Sequence, residues 1–307
     1  ESIGFADAGK SYTHRQAKWI IDCCVRQLFS EVGALLDVCP KTVERLYYNH
    51  VETHLKLPAR YAQLKRLGID KIAHRKGKKH YACVLTDLDR GIALDILPSR
   101  SKEALINHFQ RLSPDFCQQI ESVSFDMWSA YRGVSETCFP QAIPVVDRFH
   151  VVKALNDVVD KLRRKLRQDY PWKLAFVNIK WILFKARPTV DEQLYLEKAF
   201  NQSAVLKAVV DLRNTFHSHF ETAANQSLLL VNLQTWMSQA LALGYDGFWL
   251  FLTTLQNWLE PIANFAHRRL TNAVTEGLNN VIRYIKRISY GLPNFEHLRL
   301  RVLAQAI

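Results

Sequence analysis

The fold class of this chain is decided by the stretch Tyr81-Ala82-Cys83-Val84-Leu85-Thr86-Asp87-Leu88-Asp89-Arg90-Gly91-Ile92-Ala93-Leu94-Asp95-Ile96-Leu97. Its first residues alternate, turn-forming residues follow, and a second apolar run begins at Ile92, which is typical of a β-hairpin. Further strands are predicted at Gly68–His74, Ser122–Asp126 and Ala142–Asp147, and helices at Ser101–Leu112 and Ser129–Cys138. The order β-β-β-α-β-α-β predicts a five-stranded α/β sheet built from a meander and two crossovers.

Two features predict the order of the strands. Right-handed crossovers lay the fourth strand beside the first. Pro144 removes a backbone donor from the fifth strand, which predicts that this strand lies at a sheet edge. Asp70 and Asp126 each follow a short apolar run, on the first and fourth strands, so we expect them to be neighbours.

The N-terminal region has helical periodicity over residues 11–55, interrupted at Asp37-Val38-Cys39-Pro40. A short helix, a tight turn and a second helix are typical of a helix-turn-helix, whose second helix enters the major groove. The candidates for groove contacts are Lys41, Thr42 and Arg45. A helical hairpin that does not bind DNA is the alternative, because residues 1–60 carry 8 basic against 7 acidic residues.

The composition is that of a globular protein with a strong positive charge. The 307 residues include 41 Lys and Arg against 29 Asp and Glu, a formal charge of +12. This excess favours a polyanionic partner, with simple solubility as the alternative. The charge concentrates in residues 148–190, with 11 basic against 3 acidic residues, and in residues 262–307, with 7 against 2.

The basic segment begins a helical region that extends to about residue 260. Arg163, Arg164, Lys165 and Arg167 are candidates for phosphate contacts, or else form a solvated charged face. Trp172 and Trp181 either stack on an unpaired base or, as is more common at helical spacing, belong to the core. The later part, which includes Trp236 and Trp249, is predicted to be helical core.

The cysteine pattern and hydropathy favour a cytoplasmic protein. None of the six cysteines forms a CxxC pair, which is consistent with thiols in a reducing cytoplasm. No apolar stretch reaches about 18 residues, so no membrane span is expected. Residue 1 is Glu, so we expect the numbering to begin inside a longer chain.

A predicted helix over Asn272–Ile288 carries one acidic side chain on a basic face. Steps of 100° per residue place Glu276, Asn280, Arg283 and Arg287 on one stripe. The opposite, buried stripe is predicted to contain Leu278, Val281, Ile282, Ile285 and Ile288. A carboxylate on a ridge of cations suits a metal ion beside a phosphate backbone, and an Arg-paired Glu on a solvated face is the alternative.

Two carboxylates on adjacent strands and a third from a helix form a hard-oxygen site. Asp70, Asp126 and Glu276 are ligands of the type that Mg²⁺, or Mn²⁺, prefers. Two such ions about 3.5–4 Å apart stabilise the attacking and leaving oxygens of an in-line displacement. The rival acidic residues Asp87, Asp89 and Asp95 are discounted, because two lie in a turn and one on the third strand. A zinc site at His217 and His219 is not expected, because the sequence offers no third ligand at helical spacing from them.

Four segments carry a resemblance to a known family. They are Leu67-Gly68-Ile69-Asp70 with the hairpin turn, Ser124–Tyr131, Val146–Lys153, and Thr275–Asn280 with Ile285-Lys286-Arg287. Over about residues 10–307 the sequence resembles bacterial insertion-sequence transposases of the ISL3 type. The resemblance implies an α/β RNase-H-like core, a mixed five-stranded sheet with flanking helices, and a DDE catalytic triad of Asp70, Asp126 and Glu276.

The resemblance also implies the domain organisation. Residues 1–60 form the helix-turn-helix region, 61–150 the first part of the core, 151–262 a large all-helical insertion, and 263–307 the C-terminal part with Glu276. Asp147-x-x-His150 is similar to a motif that follows the second aspartate in related transposases. These two residues either support the active site or DNA, or form a structural pair.

The implied function is a DNA transposase with two metal ions per active site. It binds double-stranded transposon ends and target DNA, exposes a 3′-hydroxyl and joins it to the target, and Lys286 joins Arg283 and Arg287 as a candidate DNA contact. Pairing of two ends implies a homodimer or a larger assembly on nucleoid DNA. A metal-dependent nuclease on the same core and a catalytically idle DNA-binding regulator are the alternatives. The Cys-rich zinc segment of the family is not among these residues.

Overall fold

The computed structural model describes residue 6 and residues 10–55, 57–74, 81–172, 174–177, 179–185, 187–270, 273–289, 292 and 294–306. The chain divides into two compact units. The first unit comprises Glu1–Val123, Gly133–Ala142 and Asn272–Ile307, and the second comprises Ser124–Arg132 and Ile143–Thr271.

Five strands form one mixed sheet with the order β3-β2-β1-β4-β5. The fourth strand is next to the first, and the strand that contains Pro144 lies at an edge, so both predictions of strand order are confirmed. An edge position tolerates Pro144 because no ladder partner needs its missing N–H. The strands are β1 Arg66–Ala73, β2 Tyr81–Asp87, β3 Ile92–Leu97, β4 Ser122–Phe125 and β5 Ile143–Val146.

The first three strands form the predicted antiparallel meander. Asp70 pairs with Val84, which places it in the middle of β1 and not at its end, where the apolar run had suggested. The β2–β3 turn is closed by Asp87, whose Oδ1 accepts hydrogen bonds from the backbone N–H groups of Asp89 (2.8 Å) and Arg90 (3.0 Å). Gly91 follows with a φ of 71°, a conformation that glycine adopts without a steric penalty.

Helices cover most of the remaining described chain. The predicted helix over Ser101–Leu112 corresponds to α5, which ends at Phe109, and the predicted start at Asn272 lies outside the described residues. The helices are α1 His14–Cys24, α2 Phe29–Leu36, α3 Pro40–His54, α4 Leu57–Tyr61, α5 Lys102–Phe109, α6 Pro114–Gln119, α7 Ser129–Cys138, α8 Arg148–Asp169, α9 Lys180–Leu183, α10 Val190–Gln202, α11 Ala204–Thr222, α12 Gln226–Ala242, α13 Trp249–Asn257, α14 Leu259–Ala263, α15 Phe265–Arg268, α16 Ala273–Ile288 and α17 Phe295–Leu303.

A tight turn joins α2 and α3, as the break at Asp37 predicts. Asp37 has a φ of 53°, and the N–H of Val38 bonds to the carbonyl of Gly33. A Cβ on Gly33 would lie 2.6 Å from the carbonyl oxygen of Val38, so this close approach requires glycine. Pro40 occupies the first turn of α3, where its missing N–H costs nothing. The role of this module in DNA binding stays a prediction.

Two of the apolar clusters formed by the described residues of the first unit involve the C-terminal helix α17. One packs Ile72 and its neighbours on β1–β3 against α16 and α17. The other packs the three N-terminal helices around Tyr47, and it includes Leu300 of α17. The C-terminal helix α17 therefore contributes to both clusters, and it connects the N-terminal helices with the sheet.

Arg301 of α17 connects the same elements through hydrogen bonds. Its side chain is buried, and its guanidinium donates to the carbonyls of Cys24 (2.7 Å) and Gln27 (3.0 Å) and to the hydroxyl of Ser289 (2.9 Å). The guanidinium carbon also lies 4.7 Å from the centre of the Phe29 ring. One cation thus caps the end of α1 and contacts the end of α16.

The second unit is helical apart from β5 and its part of β4. Trp236 is fully buried, contacts the rings of Phe216 and Phe251, and donates its Nε1–H to the carbonyl of Leu212 (2.7 Å). Trp249, predicted to be core, is instead 72% exposed. Within the described residues, every helix is too short or too polar to span a bilayer.

The buried cation of Arg301 yields a stability prediction. Arg301→Met leaves the carbonyls of Cys24 and Gln27 without a charged donor, so the free energy of unfolding should fall by about 3 kcal/mol. Urea unfolding measures this, with the exposed Arg26→Met as the charge-matched control, which should change it by less than about 0.5 kcal/mol. Equal values for the two variants would contradict the assigned role of Arg301.

Candidate active site

Asp70 is a buried carboxylate in the first unit. Its side chain lies on the same face of β1 as Ile72, since residues two apart share a face of a strand. Asn279 of α16 donates its Nδ2–H to Asp70 Oδ2 at 2.7 Å, and the backbone N–H of Lys71 lies 2.7 Å from Oδ1. Both hydrogen bonds offset part of the cost of burying this carboxylate.

Glu276 lies in the first turn of α16 and is exposed, one helical turn before Asn279. A carboxylate is favoured there by the positive end of the helix dipole. The predicted polar stripe is correct, because Glu276, Asn280, Arg283 and Arg287 are all exposed. The predicted apolar stripe is wrong at Val281, which is exposed.

Asn279 is the residue that sequence reasoning missed. It is 3% exposed and shares the buried face of α16 with Ile282. An amide on an otherwise apolar face needs a polar partner, and this signal could have identified it before the structure. Its Oδ1 atom is buried and accepts no hydrogen bond from the described residues, so a hard oxygen ligand remains available beside Asp70.

The second unit contains a carboxylate–imidazole–carboxylate cluster. His150 Nδ1 lies 2.8 Å from Asp126 Oδ1 and 3.3 Å from Asp147 Oδ2. Asp147 precedes α8, and its Oδ1 accepts from the backbone N–H of Phe149, a helix N-cap. The N–H of Asp147 bonds to the carbonyl of Phe125, which joins the start of α8 to the end of β4.

These neighbours determine the charge of His150. Burial lowers the pKa of its imidazole, but the hydrogen bonds and charges of Asp126 and Asp147 outweigh this and raise the pKa from 6.5 to about 9. The imidazolium therefore predominates at neutral pH in the metal-free protein. It partly compensates two buried carboxylates.

The chemistry of these side chains suits a divalent cation. Each unit offers ligands of the kind that hold a metal ion: the buried carboxylate of Asp70 in the first unit, and the buried carboxylate of Asp126 with the half-buried imidazole of His150 in the second. Carboxylate and amide oxygens are the donors that Mg²⁺ and Mn²⁺ prefer. His150 must first release its proton before it can be a ligand.

The rival acidic residues have other partners. Asp87 closes the β2–β3 turn and accepts a bond from Arg90 Nε (2.6 Å), and Asp89 pairs with Arg66. Asp95 is buried in a two-pronged pair with Arg299 of α17. His217, one of the two histidines considered for zinc, also has another partner, because its Nε2 lies 3.0 Å from Arg148 Nη2.

The candidate DNA contacts differ in their availability. Lys41 and Arg45 are exposed on α3 and Thr42 is half-buried, while Arg164, Lys165 and Arg167 are exposed on α8. Arg163 is instead 7% exposed and pairs with Asp160, which makes it the least accessible of the four candidates on α8, and its role as a phosphate contact stays a prediction. Lys286 donates to the carbonyls of Ala73 (2.6 Å) and His74 (2.8 Å), and so it ties α16 to the end of β1.

Comparison with known proteins identifies relatives of this chain. The family model of ISL3-type DDE transposases matches residues 67–302. The chain is 29% identical, over 255 residues, to the transposase for insertion sequence element IS1001 of Bordetella parapertussis, a match that covers 80% of this chain and 61% of the relative. It is 30% identical, over 165 residues, to the transposase for IS1557 of Mycobacterium tuberculosis, covering 53% and 36%. The matches thus span less than two thirds of either relative.

The raised pKa of His150 predicts a pH-dependent stability. Because the folded pKa is higher than the unfolded value of 6.5, the stabilisation is present below pH 6.5 and disappears as the pH rises through about 9. Urea unfolding of the metal-free chain should show a gap of at most about 3 kcal/mol between wild type and His150→Gln at pH 6. That gap should be largely absent at pH 9.5.

The control for this experiment is His267→Gln, since His267 is exposed in the same unit. The effect of that substitution should not change between the two pH values. An NMR titration of His150 provides a direct check, and Asp126→Asn should lower the pKa. A pKa near 6.5 in both proteins would contradict the interpretation.

Proposed function

Because the chain belongs to the ISL3-type family of DDE transposases, we propose that it binds transposon ends, cleaves phosphodiester bonds and joins the resulting 3′-hydroxyl to target DNA. Asp70, Asp126 and Glu276 are the proposed catalytic residues. The observation that carries this proposal is the support of two buried carboxylates: Asn279 holds Asp70 and His150 holds Asp126, all inside the family match.

The proposed cofactor is a pair of Mg²⁺ or Mn²⁺ ions. When bound, these ions activate the attacking oxygen and neutralise charge on the leaving oxygen. Asp70, Asp126 and Glu276 would be their ligands, and β1 and β4, which carry or precede the two aspartates, are neighbours in the sheet order. The exposure of Glu276 leaves its carboxylate accessible to a metal ion that also contacts a DNA phosphate.

His150 and Asp147 have a supporting role in this proposal. The imidazole orients the Asp126 carboxylate through Nδ1, and Asp147 in turn holds the imidazole while it caps α8. Release of the His150 proton would restore negative charge to the cluster when a divalent ion binds. These two residues therefore tune the second carboxylate and need not contact DNA.

Double-stranded DNA is the proposed partner. The tight turn between α2 and α3, with Lys41, Thr42 and Arg45 at the start of α3, supports a helix-turn-helix in residues 1–60. Arg164, Lys165 and Arg167 on α8, and Arg283 and Arg287 on α16, supply exposed cations for phosphates. Lys286 is a weaker candidate, because its ammonium group is already bound to two carbonyls.

The remaining organisation is proposed on the same basis. Residues 61–150 and 263–307 form the catalytic core, and residues 151–262 form the helical insertion between them. Synapsis requires two transposon ends, so we expect a homodimer or a larger assembly on DNA. The nucleoid is the corresponding location.

A strand-transfer assay tests the catalytic proposal. The full chain, pre-cleaved ends and Mg²⁺ or Mn²⁺ should yield joined product. Asp126→Asn and Glu276→Gln should each reduce joining at least about 100-fold, because a metal ligand is lost. Glu103→Gln, an exposed acidic residue of α5, is the matched control and should retain joining. Nicking without joining would indicate a nuclease, and binding without either would indicate a regulator.

A binding assay tests the helix-turn-helix. Lys41→Ala and Arg45→Ala should each weaken binding of duplex end DNA and lower the salt dependence of log K by about one, because one phosphate contact is lost. Lys18→Ala removes an exposed charge from α1 and is the control. Equal binding of duplex end DNA by all three variants would contradict the assignment of residues 1–60 as the DNA-binding region.

A further inference from the structure

The segment that contains the end of α8 and continues through α9 combines strong charge with exposed aromatic side chains. Residues 161–187 contain nine Lys and Arg and one Asp. Lys161, Arg164, Lys165 and Arg167 of α8 are exposed. We call this segment, residues 161–187, the basic aromatic segment.

Its tryptophans contradict the expectation that they belong to the core. Trp172 is 71% exposed, Trp181 is 78% exposed and Tyr170 is 40% exposed. Aromatic side chains usually bury most of their large apolar surface, so three exposed rings in one segment indicate a surface that receives a ligand. By contrast, Phe176 and Ile179, which lie between the two tryptophans, are fully buried and anchor the segment.

The rings are accompanied by polar and cationic groups. The rings of Tyr170 and Trp172 lie 5.8 Å apart in an edge-on arrangement. Lys180 Nζ lies 5.2 Å from the centre of the Trp181 ring. A flat apolar ring beside an ammonium group matches a nucleotide, which has a base to stack and a phosphate to neutralise.

We propose that the basic aromatic segment binds single-stranded DNA, with Trp172 and Trp181 stacking on unpaired bases. Paired bases inside a duplex present no free face to an indole ring, whereas every unpaired base has one. The cations explain affinity for the backbone, and the rings explain a preference for single strands. The inference rests on the proposed function, since it assumes that the chain acts on DNA.

The chain provides a matched control elsewhere in the same unit. Trp249 is 72% exposed and Leu250 is 71% exposed, so this tryptophan is as accessible as Trp172. Residues 241–262 contain no Lys or Arg. Exposure without charge should not bind a polyanion, so Trp249→Ala separates the loss of a ring from the loss of the proposed surface.

The test is a titration of a fluorescein-labelled 15-nucleotide oligo-dT and of a duplex of equal length. The protein is the full chain with Asp126→Asn, in EDTA, so that neither metal binding nor cleavage contributes. Trp172→Ala and Trp181→Ala should each weaken oligo-dT binding roughly 10-fold, since each loses one stacked base. Duplex binding should change less than 2-fold, and Trp172→Phe should retain most of the affinity.

Lys165→Ala with Arg167→Ala should weaken both DNA forms and reduce the salt dependence of binding. The proposal is overturned if the two tryptophan variants, folded by circular dichroism, bind oligo-dT as tightly as Trp249→Ala does. It is also overturned if single-strand and duplex affinity fall equally. Oligo-dT binding is measured without catalysis. If the wild-type chain fails to join ends but Trp172→Ala still weakens oligo-dT binding, the proposed function is contradicted and the single-strand proposal is supported.

Discussion

The hydrogen bond from Asn279 to Asp70 is the constraint on which the arrangement of the first unit depends. A carboxylate in the middle of β1 faces the apolar cluster, where its burial is costly unless a donor is present. Lys286 attaches the same helix to the end of β1. On α16, Asn279 and Lys286 are two turns apart, about 10 Å. Their partners Asp70 and Ala73 or His74 are three to four residues apart along β1, about 10–13 Å. Agreement of these lengths sets the register of α16, and thereby the position of Glu276.

In the second unit, a charged neighbour offsets part of the cost of burying carboxylates. Asp126 and Asp147 are both buried, and one imidazolium compensates them. Because Asp147 also caps α8, the helix that carries much of the positive charge starts from the same cluster that positions Asp126. The proposed active site and the cations proposed to bind DNA are therefore linked through the first turn of α8. A substitution at Asp147 would affect both.

How much could be predicted from the sequence depends on the range of the interaction. The five strands and the edge position of Pro144 followed from alternation and from one missing donor, which are local properties. The burial of Arg163 and the exposure of Trp181 and Val281 did not, because the environment of a helical side chain depends on which neighbour covers that face. Asn279 was missed for a related reason. Its place on the buried face of α16 is seen in the structure, and only its partner Asp70 shows why an amide belongs there.

The sequence by itself determined the fold class, the strand order and the family, because periodicity, turn chemistry and the motifs around Asp70, Asp126 and Glu276 can be read along the chain. Only the tertiary structure decided which donor supports each buried carboxylate. Asp70 and Asn279 are 209 residues apart, and no local pattern connects them. A buried charge is stable only beside its partner, and folding, not spacing along the chain, brings that partner to it.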